Sequence, residues 1–222
     1  GQDTMDVWMD SGLSWAHMAD RGLPKPVDVV LEGTDQYRGW FQSLLLTWLA
    51  AGRSGAPFKT VVVHGFTLDA NGVKMSKSLG NVVPASAVTH GAKSLGGEPK
   101  GFDPNGVDVL RMWVASHDYT KDMSVSRAAV DAVAVHYRKA RNTLRWVLGT
   151  LDDFDPLAPV PQSRQGVLAQ HLQWLVCDAE ESVRKSYEQL DFASVLQRLS
   201  EFVAEFSQVH VETMKDALYC NA

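Results

Sequence analysis

The chain has 222 residues, of which 45% are hydrophobic and 21% charged, with a formal net charge of −5. That length holds one large globular domain or two modest ones. The acidic balance excludes a uniformly basic nucleic-acid binder but leaves room for a local basic face, and no run of about 18 apolar residues is present to span a membrane.

The opening "GQDTMDVWMD" carries no basic segment of the kind that begins a secretion signal, and no initiator Met. A processed chain, or a piece of something longer, is therefore expected. Cys177 and Cys220 are the only cysteines and form no C-x-x-C pair. A reduced interior is the expected setting, and no metal site is predicted.

"VDVVLEG" (Val27 to Gly33) is a short β-branched run ending at a glycine, which predicts a buried parallel strand. In the following "RGWFQSLLLTWLAAG", Phe41, Leu44, Leu45, Trp48 and Leu49 fall on one helical face, and Gly52 can end the helix. "KTVVVHGF" (Lys59 to Phe66) predicts the next buried strand. Strand, helix and strand in this order form a βαβ unit. Polar residues follow each strand, with Glu32, Asp35 and Gln36 after the first and His64 after the second. In open α/β sheets that is the edge where ligands bind.

Asn71-Gly72 predicts a tight turn. Residues 84–107 are rich in Pro and Gly and are expected to be mostly loop, with "VDVLRMWVAS" returning to a helical pattern. From Ser126, a good N-cap, the pattern becomes helical. Val130, Val133, Ala134, Tyr137, Leu144, Val147 and Leu148 make one stripe, closed by Gly149. A second helix carries Leu168, Leu172, Leu175, Val176, Ala179, Val183 and Tyr187. A third, capped by Asp191, carries Val195, Leu196, Leu199, Phe202, Val203, Phe206 and Val209. Three amphipathic helices with short links predict a bundle. His17, His90, His117, His136, His171 and His210 show no metal-like spacing and read as unremarkable.

The stretch "GVKMSKSLGN" (Gly72 to Asn81) stands apart. A Lys/Ser run in a loop is usually solvated surface. Here the order matters more than the composition, because "KMSKS" followed by Leu-Gly-Asn after a parallel strand resembles the second signature of class I aminoacyl-tRNA synthetases. "DVWMDSG" (Asp6 to Gly12), "LEGTDQYRGWFQS" (Leu31 to Ser43), "VVHGFTLDANGVKMSKSLGNVV" (Val62 to Val83), "DVLRMWVASHDYTKD" (Asp108 to Asp122) and "YRKARNTLRWVLGTLDDFDP" (Tyr137 to Pro156) resemble isoleucyl-tRNA synthetase in the same order. The resemblance is close over residues 3–156 and a matter of pattern beyond.

The resemblance implies an α/β then all-α fold. Residues 1–83 would be the second half of a Rossmann-like parallel-sheet catalytic domain, 84–125 a connecting region, and 126–222 part of a helical-bundle anticodon-binding domain. It implies ATP with Mg2+, isoleucine and tRNA(Ile) as substrates, and a cytoplasmic or organellar setting. Lys74 and Lys77 would neutralise charge on the leaving pyrophosphate, with Lys77 matching the family's ATP-binding lysine, while Ser76 and Ser78 donate hydrogen bonds. Glu32, Gly33, Asp35 and Gln36 match the adenylate-binding block, and His64 lies where the family approaches adenine. Trp8 and Trp40 resemble walls of the isoleucine pocket, although either tryptophan alone reads as core. Arg138, Lys139, Arg141 and Arg145 form a basic helix that would contact tRNA phosphates, where the simpler reading is a solvated face.

The family's first signature, His-x-Gly-His, is absent. The only His-Gly pairs are His64-Gly65 and His90-Gly91, and neither continues to Gly-His. The expectation is therefore an internal slice of a synthetase that lacks the first half of the sheet and cannot form adenylate alone. Its partner would be the missing half or a larger assembly. The alternative is a synthetase fragment kept as a non-catalytic structural or RNA-binding subunit.

Overall fold

The computed structural model describes residues 3–22, 26–95, 100–152 and 154–220. The chain divides into two compact units. The first comprises Gly1–Thr67 with Tyr119–Met123, and the second Leu68–Asp118 with Ser124–Ala222.

In the first unit, helices α1 (Val7–Gly12) and α2 (Ser14–Asp20) precede strand β1 (Val27–Gly33). A short 3-10 turn (Thr34–Arg38) leads into α3 (Trp40–Ala50), and β2 (Phe58–His64) follows. The Asp6 carboxylate caps α1 by accepting from the Trp8 N–H at 2.9 Å. Strands β1 and β2 are parallel, in register from Val27 opposite Phe58 to Gly33 opposite His64, so the predicted βαβ unit is present. Val30, Phe41 and Leu44 are its core, with Trp15, Val27, Trp40, Phe58 and Val63 packed against them. Two polar anchors join the helices: the Trp40 indole N–H donates to the Ser11 carbonyl at 3.0 Å, and the Thr47 hydroxyl to that of Gly12 at 2.6 Å.

The expected strand burial is not what the fold shows. The strands are not buried on both faces, for Val29 and Leu31 are 47% and 55% exposed. A two-stranded sheet against α3 shields one face, and the β-branched content prepares the other for cover that the described residues do not supply. Of the helix stripe, Phe41, Leu44 and Trp48 are buried, whereas Leu49 is exposed.

The second unit begins with the lysine loop. Helix α4 (Ala85–His90) then occupies part of the stretch expected as loop. Its Ala87 and Val88 are buried, and a helix that buries two apolar residues is held by packing rather than by propensity. Residues 96–99 of that stretch lie outside the described residues. Next come α5 (Gly106–Ala115), α6 (Arg127–Thr150), α7 (Val167–Glu188) and α8 (Phe192–Glu205). A π-helical turn (Phe206–Val211) joins α8 to α9 (Glu212–Tyr219).

Both predicted caps are in place. Ser126 Oγ accepts from the Ala129 N–H at 3.2 Å, and Asp191 Oδ1 from the Ser194 N–H at 3.1 Å. Helix α6 runs through Gly149 to Thr150 instead of closing at the glycine. Its stripe is only partly covered: Val130 and Ala134 are buried, but Leu144 and Leu148 are 63% and 72% exposed. Helices α5 and α6 are tied by the Tyr137 hydroxyl, which donates to Asp108 at 3.0 Å. The Arg198–Asp178 ion pair ties α8 to α7, above a core formed by Leu175, Ala179 and Val195. The third predicted helix is interrupted by the π turn.

His171 and His210, read as unremarkable in sequence, are paired. Their rings stack with centroids 5.2 Å apart, and His171 Nδ1 lies 3.1 Å from His210 Nε2. His210 is 1% exposed. Burial, and then the neighbouring His171, hold its pKa below the ordinary imidazole value. Cys177 and Cys220 are free.

Candidate functional site

In the first unit the candidate residues gather at the carboxyl ends of the two parallel strands. The register sets Gly33 directly opposite His64. A methyl group at Gly33 would fall 2.8 Å from Asp35 Oδ1 and 3.4 Å from His64 Cε1, so glycine here lets the turn fold back onto the strand end. Gln36 locks that turn. Its Oε1 accepts from the Trp40 N–H at 3.0 Å, and its Nε2 donates to Asp35 Oδ2 at 3.0 Å. Glu32 is exposed beside them.

His64 Nδ1 lies 2.8 Å from the Gly65 carbonyl oxygen. A carbonyl can only accept, so Nδ1 carries the proton and a neutral ring offers Nε2 as an acceptor. Gly65 itself is tightly enclosed. Its N–H donates to the Tyr119 carbonyl at 2.9 Å, and an added Cβ would meet the Lys121 carbonyl carbon at 2.4 Å.

Trp8 and Gln36 are brought together around Gly39. A Cβ there would lie 2.7 Å from Gln36 Oε1 and 2.8 Å from the Trp8 ring. Trp40 follows immediately and rests against the apolar cluster. The two tryptophans thus flank the polar turn, with Trp8 largely exposed and Trp40 half-buried.

In the second unit, the segment carrying Lys74, Ser76, Lys77 and Ser78 is a bonded loop rather than a loose one. Its stem is a turn in which the Asp69 N–H donates to the Val73 carbonyl at 2.9 Å. Ser76 Oγ accepts from the Leu79 N–H at 3.2 Å and sits 3.2 Å from Ser78 Oγ. Met75 places its sulfur 3.3 Å from the Val83 N–H. Lys77 is exposed between the two serines.

Two residues that sequence reasoning passed over organise this loop. Asp69, 3% exposed, accepts from the Asn71 and Val73 N–H groups, each at 2.9 Å, and from Asn81 Nδ2 at 2.9 Å. Asn81 Oδ1 accepts from the Ser76 N–H at 2.9 Å. An Asp before Asn-Gly signals a side-chain turn. Nothing in the sequence alone links it to Asn81 beyond the lysines.

On α6, Arg138, Arg141 and Arg145 are exposed and Lys139 is half-buried. The arginines follow an i, i+3, i+7 spacing and so share one face. Arg145 alone of the four lines a cavity, of about 640 Å3, with Asn142, Trp146, Gly149, Thr150, Leu218 and Tyr219. The Trp146 indole N–H donates to the Tyr219 hydroxyl at 3.0 Å at its wall. Among the described residues no group of three or more His, Cys, Asp or Glu side chains is arranged to hold a metal ion. No described helix is long and apolar enough to cross a membrane.

Residues 1–126 match the family described as tRNA synthetases class I (I, L, M and V), and the chain belongs to that family. Within it, the chain is similar to isoleucine–tRNA ligases. It is 43% identical to that of Synechococcus sp. over all of this chain and 23% of the relative. It is 45% identical to that of Gloeobacter violaceus, over all of this chain and 22% of the relative. The identity to the chloroplastic/mitochondrial enzyme of Arabidopsis thaliana is 42%, over 99% of this chain and 20% of the relative. The chain thus spans less than a quarter of the length of these relatives. Among solved structures, it superposes on a LeuRS of Agrobacterium radiobacter K84, crystallised as a ternary complex with tRNA and LeuAMS. The TM-score is 0.75 at 16% identity, covering 96% of this chain and 27% of that one. At that identity the likeness concerns the fold.

Proposed function

We propose that this chain is the segment of an isoleucine–tRNA ligase that supplies the second half of the ATP site and the start of the tRNA-binding helices. In the first step an isoleucine carboxylate oxygen attacks the α-phosphorus of ATP. The bond to the β-phosphate oxygen breaks, and pyrophosphate leaves with the electron pair. In the second step a terminal ribose hydroxyl of tRNA(Ile) attacks the adenylate carbonyl, and AMP departs.

Lys77, with Lys74, neutralises the charge that builds on pyrophosphate, and Ser76 and Ser78 donate hydrogen bonds to it. Mg2+ arrives on the phosphates as part of the substrate. Gly33 lets the adenylate approach the backbone, Asp35 accepts from ribose hydroxyls, and the unprotonated Nε2 of His64 accepts from the adenine amino group. Glu32 and Gln36 face the aminoacyl part, and Trp8 and Trp40 wall the isoleucine pocket. Residues 1–83 thus serve as the catalytic half-domain, 84–125 as a connection, and 126–222 as part of the anticodon-binding bundle, where Arg138, Lys139, Arg141 and Arg145 meet phosphates. Lacking the His-x-Gly-His element, the isolated segment forms no adenylate. The compartment is cytoplasmic or organellar.

The observation that carries this reading is the exposed Lys77 on a loop whose backbone is already hydrogen-bonded, in a chain of matched family. The test is isoleucine-dependent ATP–pyrophosphate exchange by the full-length protein that carries this segment. Lys77→Ala is expected to lower the rate by a factor on the order of 10²–10³, the loss typical of one transition-state charge donor. Wild-type exchange by that variant would refute the assignment.

A further inference from the structure

Among the described residues Asp69 is the only buried carboxylate. Taking a carboxylate out of water is costly unless its oxygens find donors. Here every donor is part of the lysine loop or its stem. Oδ1 takes the Asn71 and Val73 N–H groups and fixes the turn that enters the loop. Oδ2 takes Asn81 Nδ2, from the residue that leaves it. Asn81 in turn reaches back inside, with Nδ2 3.3 Å from the Lys74 carbonyl oxygen and Oδ1 2.9 Å from the Ser76 N–H. The entry, middle and exit of the loop are therefore tied to one carboxylate through one amide.

The bonds from Asn81, then from Val73 and Asn71, hold the Asp69 carboxyl below its usual range. It is ionised at neutral pH and acts purely as an acceptor.

We propose that Asp69 is a positioning residue for ATP activation. Acting through Asn81, it holds the backbone of residues 74–78 in the arrangement that presents Lys77 to the leaving pyrophosphate. This rests on the function proposed above and extends it to a residue that touches no substrate. Without the brace the loop samples other arrangements. The competent fraction falls, and apparent ATP affinity and rate fall with it.

The experiment is again isoleucine-dependent pyrophosphate exchange by the full-length protein, with KM for ATP and for isoleucine measured separately. Asp69→Asn keeps the size and the Oδ1 contacts but turns Oδ2 into a donor facing the Asn81 amide. It is expected to lower kcat/KM for ATP by about tenfold or more, with KM for isoleucine unchanged. Introduced together with Asn81→Asp, it recovers part of the loss, because the pair bonds again with donor and acceptor exchanged. In the Lys77→Ala background, Asp69→Asn has a smaller effect, limited to Lys74, Ser76 and Ser78, since the lysine it chiefly positions is gone. Should Asp69→Asn fail to fold, Asn81→Ala reads the same coupling. Two results overturn the proposal: wild-type kinetics for Asp69→Asn, or a loss that multiplies in full with that of Lys77→Ala. If Lys77→Ala is itself without effect, it is the function reading that falls, and the proposal with it.

Discussion

Gly65 offers a test of how tightly the end of β2 is built. Replacing it with alanine puts a Cβ 2.4 Å from the Lys121 carbonyl carbon, 2.5 Å from its oxygen and 2.6 Å from the Asp122 nitrogen. These are backbone atoms, so no rotamer change relieves the clash. Ordinary contact requires residues 121 and 122 to retreat by about 1 Å. That segment is held by the Gly65 N–H on the Tyr119 carbonyl at 2.9 Å and the Met123 N–H on the Phe66 carbonyl at 2.9 Å. A third bond joins the Phe66 N–H to Asp122 Oδ1 at 2.6 Å. Overpacking of this kind costs about 1–3 kcal/mol, and weakening even one of the bonds adds about 1 kcal/mol. A local loss of roughly 2–4 kcal/mol follows. Amide hydrogen exchange on the full-length protein reads it directly, as protection at Phe66 and Met123 falling by about 30-fold or more. Gly149→Ala is the control, because a Cβ there meets nothing within 4 Å and α6 should gain up to about 1 kcal/mol. Protection at Phe66 unchanged in Gly65→Ala would refute the packing argument.

The helical unit should be acid-sensitive. His210 is held below the ordinary imidazole value of 6.5 by burial and by His171, against the opposing pull of Glu205. The unfolded chain thus binds a proton that the folded chain refuses. Stability is whole above that value and declines as pH falls through it, levelling only below the folded-state pKa. Hydrogen exchange in α7 and the π turn should accelerate over that range, and His210→Phe should flatten the dependence. Ser126→Ala removes the acceptor at the start of α6 and should cost about 1 kcal/mol, seen as about fivefold faster exchange at the Ala129 N–H.

The βαβ unit was legible because its signals are local: β-branched runs, a 3.6-residue stripe, and a glycine at each strand end. The caps at Ser126 and Asp191 were legible for the same reason, since a short polar side chain there satisfies N–H groups a few residues away. What escaped sequence reading depends on distant partners. Val29 and Leu31 look like buried-strand residues, and only the packing shows one sheet face open. The Asp69–Asn81 bond spans the very loop that drew attention to itself, so the lysines were legible and their support was not. His171 and His210 lie on different helices, and neither has a neighbour in sequence that announces the other. Helix α4 hid in a Pro- and Gly-rich stretch because packing of Ala87 and Val88, not composition, stabilises it.

The π turn at Phe206–Val211 also bears on how family members should be aligned. A π turn amounts to one residue added to an α-helix, and one residue is about 100° of rotation. A homologue shorter by one position between Phe202 and Thr213 would carry an uninterrupted helix. Residues after the gap would keep the direction of their counterparts here, because the wider π turn absorbs the rotation of the extra residue. An alignment that opens its single-residue gap inside this turn therefore keeps the packing faces in correspondence, and one that opens it elsewhere compares positions about 100° apart.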